Sequence, residues 1–236
     1  MDIGSIIILA IVCTLLLLLI PLFFISFKER NKSEKPRIKN YGDEYFQTLI
    51  CLDKGERGEY IVDRMLKEVS EFAGGYAYRE LKLEDEYGNW TEIDNVFISP
   101  IGIYLIETKN RDGIITGDDT SNKWIQTSGK YTHEVDNPII QCQRHEKFFK
   151  RVIKNVGSVT TLTIFVAGDI SNIKCKNVFT LKGAEEFLMN RKRMLSDSKI
   201  EYINSQVLKF VKNPPFTHRQ YSNWMENQKR TNSNFS

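Results

Sequence analysis

The sequence has few cysteines and lacks the short motifs that mark several common enzyme classes. Its four cysteines contain no C-x-x-C pair, which argues against a zinc site or a disulfide framework. Cys13 lies in an apolar run, and the scattered Cys51, Cys142 and Cys175 suit a reducing cytosol. There is no glycine-rich phosphate loop ending in Lys-Ser or Lys-Thr, and no G-x-S-x-G nucleophile elbow.

An excess of charge of one sign is also missing from the chain as a whole. The 33 basic and 30 acidic residues leave a net charge of +3, and 41% of the residues are apolar. This composition is typical of a globular protein with a full core and excludes a disordered or collagen-like chain. The charge is unevenly placed, because residues 28–39 and 209–236 each carry +4 and residues 40–208 carry −4.

One long stretch has no charge at all, from Ile3 to Phe27. It exceeds the roughly 20 apolar residues that a bilayer core requires. A cleaved signal peptide is the alternative, but Asp2 precedes the run and no small-x-small cleavage site follows it. We predict a transmembrane helix over 3–27 and a basic juxtamembrane linker over 28–40. The positive-inside rule then places the N-terminus outside the cell membrane and the rest of this single-pass chain in the cytoplasm.

Hydrophobic periodicity predicts one domain over 41–211, followed by a polar C-terminal tail over 212–236. The predicted helices and strands alternate along this domain. They are a helix at about 56–72, strands at 76–83, 90–98 and 103–109, a hairpin about Ser128-Gly129, a helix from Asn137-Pro138 to about Lys154, strands at 159–167 and 177–181, and helices near 183–190 and 197–211. This order predicts an α/β sandwich with a central mixed sheet flanked by helices.

The most informative segment is TEIDNVFISPIGIYLIETKN, residues 91–110. If the chain turns between Ser99 and Gly102, Asp94 lies directly across from Glu107. Strand alternation then predicts that both carboxylates and Lys109 share one face, together with Glu92, Val96, Ile98, Ile103 and Leu105. The other face is predicted to carry Ile93, Phe97, Tyr104 and Ile106.

Two opposed carboxylates repel each other, since their β-carbons are only about 4.5–5.5 Å apart across a strand pair. A bound divalent cation would offset this repulsion, with the two carboxylates as its ligands, because Mg²⁺ prefers one or two carboxylates and keeps several waters. Lys109 would add an ammonium that orients water or stabilises charge on phosphate. The alternative is a structural ion-pair cluster. E-x-K alone has little weight, because Glu80-Leu-Lys82 also fits that pattern.

Three segments in order, GERGEYIVDRML, TEIDNVFISPIGIYLIETKN and DNPIIQCQRHEKFF, resemble the nuclease-related domain (NERD), a branch of the PD-(D/E)xK nuclease superfamily. The resemblance covers about residues 52–155. It implies a restriction-endonuclease-like αβββαβ core, a metal held by Asp94 and Glu107, and catalytic roles for Glu59, Asp94, Glu107, Lys109 and Gln141. The aspartate here stands in I-D-N rather than in the P-D for which the superfamily is named.

Helical geometry gives an independent prediction for the side chains on the two long helices. At 100° per residue, Gln141 falls on the apolar, sheet-facing side, and Glu59 lies at the edge of its helix's apolar stripe. Gly55 and Gly58 on the packing side would allow close approach to the sheet. The basic residues Arg144, Lys147 and Arg151 lie on the opposite side, most simply as a solvated face and secondarily as a phosphate-tracking stripe. A hydrogen-bonded core histidine is the favoured interpretation of His145, and a metal ligand or catalytic base is the alternative.

The sequence therefore favours a membrane-anchored nuclease that depends on Mg²⁺ or Mn²⁺, with DNA the favoured substrate and the bilayer contacted through 3–27. The alternative is a non-catalytic NERD-like module that binds nucleic acid or a protein partner at the membrane. The −4 charge of residues 40–208 favours this alternative, because a DNA-binding surface needs several Lys or Arg contacts to phosphate.

Overall fold

The structure is a computed structural model that describes residues 48–233. The predicted transmembrane helix at 3–27 and the basic linker at 28–40 lie outside the described residues. Within residues 48–233, no helix is both long enough and apolar enough to cross a membrane.

Helix α1 (Lys54–Ala73) opens the domain and agrees with the helix predicted at 56–72. Its first turn is fixed by a capping box: the Asp53 carboxylate accepts the Glu56 N–H at 2.9 Å, and the Glu56 carboxylate accepts the Asp53 N–H at 3.1 Å. The helix ends at Gly74, whose φ of 75° is a conformation that L-residues rarely adopt. Its buried stripe includes Val62 and Leu66.

Within residues 48–233, seven strands form one mixed sheet, which confirms the predicted α/β fold with a central mixed sheet. The strands are β1 (Tyr76–Glu84), β2 (Trp90–Ser99), β3 (Gly102–Gly117), β4 (Lys123–Ser128), β5 (Tyr131–Asp136), β6 (Thr160–Ile173) and β7 (Val178–Thr180). Strands β1 to β5 pair antiparallel in chain order, whereas β6 pairs parallel with β3 and β7. The chain order is helix, three strands, hairpin, helix, strand, which is the αβββαβ order with the β4–β5 hairpin inserted.

Strand β3 is the centre of the sheet and has three strand partners. Strand β6 pairs along the length of β3, from Tyr104 to Gly117. Strands β2 and β4 therefore share the other edge: β2 pairs with residues 102–106 and β4 with residues 114–116. Residues 107–113 of β3 lie between these two ladders, and no strand within residues 48–233 pairs with that edge there; we call this segment the open edge of β3.

Helices cover both faces of the sheet. One face carries α1 and α3 (Leu181–Met189), and the other carries α2 (Pro138–Val152) and α4 (Asp197–Lys212). Helix α2 begins as predicted, with Asn137 accepting the Ile139 N–H and proline at the first helical position.

One prediction about the strand faces is wrong. Ile93 was assigned to the face of Phe97 and Tyr104, but it packs in the opposite core, with Val96 and Ile98. The cause is Glu80, whose φ of 52° interrupts the alternation of side chains along β1. Arg79 pairs with Asn95 and Leu81 pairs with Ile93, but the residues between them, Glu80 and Asp94, do not pair. The phase of the pleat therefore changes at the residue opposite Glu80, which is Asp94.

The segment predicted as a polar tail contains helix α5 (His218–Ser233). An aromatic cluster joins this segment to the start of β2. The Phe216 ring stacks on Trp90 at 4.7 Å between centroids, and it stacks on Tyr221 at 5.1 Å. The chain after α4 is therefore packed against the sheet by apolar contacts, although its composition is mostly polar.

Candidate active site

The predicted carboxylate pair lies where β2 separates from β3. The observed register, Ile98↔Ile103 and Asn95↔Ile106, is the one predicted from the turn, but the ladder ends before Asp94 and Glu107. The Asp94 Oδ2 instead accepts the backbone N–H of Thr108 at 2.7 Å. A side-chain oxygen thus replaces the backbone acceptor at the end of the ladder and holds Asp94 beside Glu107.

Glu107 is the most deeply buried acidic residue of the cluster, with 2% of its surface exposed. Its Oε1 accepts a hydrogen bond from Lys109 Nζ. Its Oε2 is buried and has no hydrogen-bond partner within the described residues 48–233, and the Nδ1 of His145 lies 3.8 Å away, beyond hydrogen-bonding distance. A buried carboxylate oxygen without a donor is costly, so this atom indicates a position where a cation or a donor would be stabilised.

Lys109 lies between β3 and α2. Its Nζ donates to Gln141 Oε1 at 3.3 Å as well as to Glu107, so the predicted sheet-facing orientation of Gln141 agrees with its position here. Burial lowers the pKa of Lys109, but the neighbouring Glu107 and Asp94 carboxylates outweigh that effect and raise the pKa above its usual value. Lys109 is therefore a fixed positive charge at neutral pH.

The two other carboxylates of the cluster hold their protons more tightly than isolated ones. Burial, followed by the charges of Glu107 and Glu59, raises the pKa of Asp94 well above its ordinary value. Burial, followed by the charges of Glu80 and Glu92, raises the pKa of Glu59 to about 7. Asp94, Glu107 and Glu59 are thus close enough to repel one another, and an added cation would relieve that repulsion.

Helix α1 brings Glu59 to the cluster because Gly58 lets it approach β3 closely. A Cβ at Gly58 would lie 2.9 Å from Asn110 Cβ and 3.3 Å from Thr108 Cγ2. Gly55, which was also predicted to pack against the sheet, is exposed, and the nearest atom to a Cβ there is a carboxylate oxygen of Asp53. The close approach therefore depends on one glycine, one residue before Glu59.

The three predicted phosphate contacts differ in their surroundings. Arg144 and Lys147 are exposed on α2. Arg151 donates to the buried Asp85 carboxylate at 2.6 Å, and its guanidinium lies over the Phe148 ring. Arg151 thus contributes to the packing of the turn between β1 and β2, so the phosphate-tracking prediction concerns mainly Arg144 and Lys147.

Two neighbours of the cluster were not identified as site residues from the sequence. His145 was expected to be a hydrogen-bonded core residue; it is buried, but the charged atom beside it is Glu107 Oε2. The available signal was its position four residues after Gln141, which places both on one face of α2. Glu80 was set aside with Lys82, and nothing in the local sequence marks its positive φ.

The donor set fits a magnesium-type cation. Among residues 48–233, no group of three or more His, Cys, Asp or Glu side chains is placed so that it could hold a metal ion. Mg²⁺ commonly binds through one or two carboxylates and keeps waters or phosphate oxygens as its other ligands. Asp94 and Glu107, with the unpartnered Oε2 of Glu107, match that requirement.

The fold and the site define an α/β sandwich protein with a carboxylate–lysine cluster at the open edge of its central strand. Residues 54–179 match the nuclease-related domain (NERD), and the chain belongs to that family. Over 101 residues it is 32% identical to an uncharacterized protein of Bacillus anthracis, and this match spans 43% of the chain and 47% of the relative. The chain thus spans about half the length of this relative. No solved structure matches it.

Proposed function

We propose that this NERD-family protein is a metal-dependent nuclease that hydrolyses phosphodiester bonds of nucleic acid, with DNA the favoured substrate. The observation that carries the proposal is the convergence of Asp94, Glu107 and Lys109 where β2 leaves β3, with one Glu107 oxygen buried and unpartnered. Phosphodiester cleavage requires that negative charge on phosphate be neutralised, and this cluster combines a cation-binding carboxylate pair with a fixed ammonium.

Each residue of the cluster has a separate role in this proposal. Asp94 and Glu107 would hold Mg²⁺ or Mn²⁺, which supplies charge neutralisation at the phosphate when bound. Lys109 orients the attacking water and stabilises charge that develops on phosphate oxygens. Gln141 accepts from Lys109 Nζ and holds the ammonium in place. Glu59, whose pKa is raised to about 7 by burial and by neighbouring carboxylates, completes the acidic site.

The proposal includes attachment to the cell membrane through residues 3–27, with the N-terminus outside and the NERD domain in the cytoplasm. It is supported by the uncharged apolar run and by the +4 charge of residues 28–39 directly after it. We propose Arg144 and Lys147, both exposed on α2, as weak phosphate contacts. The third basic residue predicted there, Arg151, is instead hydrogen-bonded to Asp85.

The test is a cleavage assay of the full chain on single- and double-stranded DNA and RNA with Mg²⁺ or Mn²⁺. We expect cleavage that depends on the cation and falls at least about 100-fold in Lys109→Met and in Glu107→Gln. Lys123→Met is the control, because Lys123 is also a paired lysine, bound to Asp136 across the β4–β5 hairpin. Activity that persists in the Glu107→Ala, Lys109→Ala double variant would refute the assignment.

A second candidate is a non-catalytic NERD module that binds nucleic acid or a protein partner. The observation that favours it is the −4 charge of residues 40–208, which weakens affinity for a polyanion. Calorimetry of the full chain with Mn²⁺ separates the two functions. Uptake that is abolished by Asp94→Asn supports the nuclease, and no uptake by the unaltered chain supports the second candidate.

A further inference from the structure

Helix α2 presents two polar side chains to the Glu107–Lys109 pair, one turn apart. Gln141 contacts Lys109 Nζ at 3.3 Å, and His145, four residues later on the same face, places Nδ1 3.8 Å from Glu107 Oε2. His145 is buried, with 6% of its surface exposed. Its neighbours on the helix, Phe148 and Phe149, belong to the core. The helix thus places one polar group on each member of the E-x-K pair.

The two oxygens of Glu107 are in unlike situations. Oε1 accepts from Lys109, whereas Oε2 is buried and has no hydrogen-bond partner among residues 48–233; the Nδ1 of His145 lies 3.8 Å from it. A buried carboxylate oxygen left without a hydrogen bond destabilises the folded chain. A side-chain adjustment of under about 1 Å would bring the 3.8 Å separation into hydrogen-bonding range.

We propose that His145 is a positioning residue for Glu107: its Nδ1–H donates to Glu107 Oε2 and fixes the plane of the carboxylate, so that Oε1 stays on Lys109 and the group is held ready for a cation. This inference rests on the proposed nuclease function and adds a residue to it. It assigns His145 no contact with substrate. Outer hydrogen bonds of this kind orient ligating carboxylates, and their loss commonly costs 10–100-fold in metal affinity or activity.

The chemistry of imidazole makes the proposal specific. A neutral histidine carries its proton on one nitrogen, and the partner of the ring decides which one. The tautomer is measured at pH 8, above the ordinary histidine pKa of about 6.5. If Oε2 is the acceptor, the proton must be on Nδ1, which is the less favoured tautomer of the free neutral histidine side chain in water.

The first experiment measures that tautomer and requires neither cation nor activity. Long-range ¹H–¹⁵N correlation spectra of the metal-free full chain at pH 8 report it for each of the three histidines, with His145 assigned by the loss of its signals in His145→Asn. We expect the Nδ1–H tautomer at His145, and a shift toward the Nε2–H tautomer in Glu107→Leu. An Nε2–H tautomer in the unaltered chain overturns the proposal, whether or not the leucine variant folds.

The second experiment separates a positioning role from a packing role. His145→Leu keeps an apolar group of similar size but removes the donor, whereas His145→Asn returns an N–H at the position of Nδ1. We expect the leucine variant to lose 10–100-fold in Mn²⁺ affinity and in kcat with an unchanged KM for DNA, and the asparagine variant to recover to within a few-fold. His133→Leu, on the exposed β4–β5 hairpin, is the control.

The outcomes distinguish the two proposals. If His145→Leu and His145→Asn lose Mn²⁺ affinity and kcat equally, the positioning role of His145 is overturned and the proposed nuclease function stands. The same holds if the unaltered chain is active and His145→Leu loses neither. An unaltered chain that neither binds Mn²⁺ nor cleaves nucleic acid overturns the nuclease, and the tautomer measurement still decides whether His145 donates to Glu107.

Discussion

The Asp94 carboxylate accepts the backbone N–H of Thr108 at 2.7 Å, so a side chain on β2 completes the hydrogen bonding of β3 at the residue where their ladder has ended. Asp94 is thereby part of the sheet as well as part of the acidic cluster. The two roles make different demands, since the sheet needs an oxygen acceptor and the cluster needs a negative charge.

Substitutions at Asp94 should separate these roles. Asp94→Asn keeps an oxygen for the Thr108 N–H and removes a charge that Glu107 and Glu59 repel, so we expect its unfolding free energy at pH 8 to equal or exceed that of the unaltered chain. Asp94→Ala leaves the Thr108 N–H unpaired and should lose about 1–3 kcal/mol. Urea unfolding measures both, and an asparagine variant as unstable as the alanine variant would contradict the assigned hydrogen bond.

The contribution of Glu59 to the free energy of unfolding should fall as pH rises from about 4.5 to about 7, because the folded chain holds the Glu59 proton that the unfolded chain has already released. Glu59→Gln removes this dependence. At pH 8 we expect the free energy of unfolding of the variant to exceed that of the unaltered chain by on the order of 1–2 kcal/mol, a value reduced from the full pKa shift because Glu59 is partly exposed. At pH 4 the two free energies should be nearly equal. Urea midpoints at the two pH values test this. Glu71→Gln, exposed on the same helix, should show no such difference.

Much of the site could be predicted because it depends on local rules. The turn at Ser99 to Gly102 and the two-residue alternation of β2 and β3 were enough to predict the register that places Asp94 beside Glu107. The 100° periodicity of α2 was enough to predict that Gln141 faces the sheet, where it contacts Lys109. These features follow from sequence neighbours, and they are therefore visible in one sequence.

The features that could not be predicted depend on contacts distant in the chain. The phase change at Glu80 follows from backbone geometry that no glycine marks, and it moved Ile93 to the other core. The open edge of β3 exists because β2 and β4 share that edge, which is a property of the whole sheet. The docking of Phe216 on Trp90 joins residues 126 positions apart, within a segment whose composition is polar.

That aromatic contact leads to a prediction about the C-terminal helix. Phe216 is 3% exposed and lies between Trp90 and Tyr221. Phe216→Ala should lower the unfolding free energy by about 2–4 kcal/mol and shift tryptophan emission to the red, because it removes a buried ring and exposes Trp90 to water. Tyr87→Ala, with 75% of that residue exposed, is the control. Unchanged emission in the Phe216 variant would show that α5 does not depend on this contact.

Gly58 and Gly55 offer a matched pair on helix α1. Both lie in its first turns, and alanine is intrinsically favoured over glycine in a helix by about 1 kcal/mol. At Gly58 the new methyl would lie 2.9 Å from Asn110 Cβ, an atom fixed by its own backbone, so α1 must move away from β3. Gly58→Ala should therefore lower the free energy of unfolding by about 1–3 kcal/mol, whereas Gly55→Ala should leave it unchanged or raise it.

The same displacement should reach the acidic cluster, since Glu59 follows Gly58 directly and is held near Asp94 by the close approach of the helix. We expect the Gly58 variant to lose part of the pH-dependent stability assigned to Glu59, whereas the Gly55 variant retains it. Urea midpoints at pH 4 and pH 8 for both variants give the comparison. If Gly58→Ala were as stable as Gly55→Ala at both pH values, the contact between α1 and β3 would not be what positions Glu59.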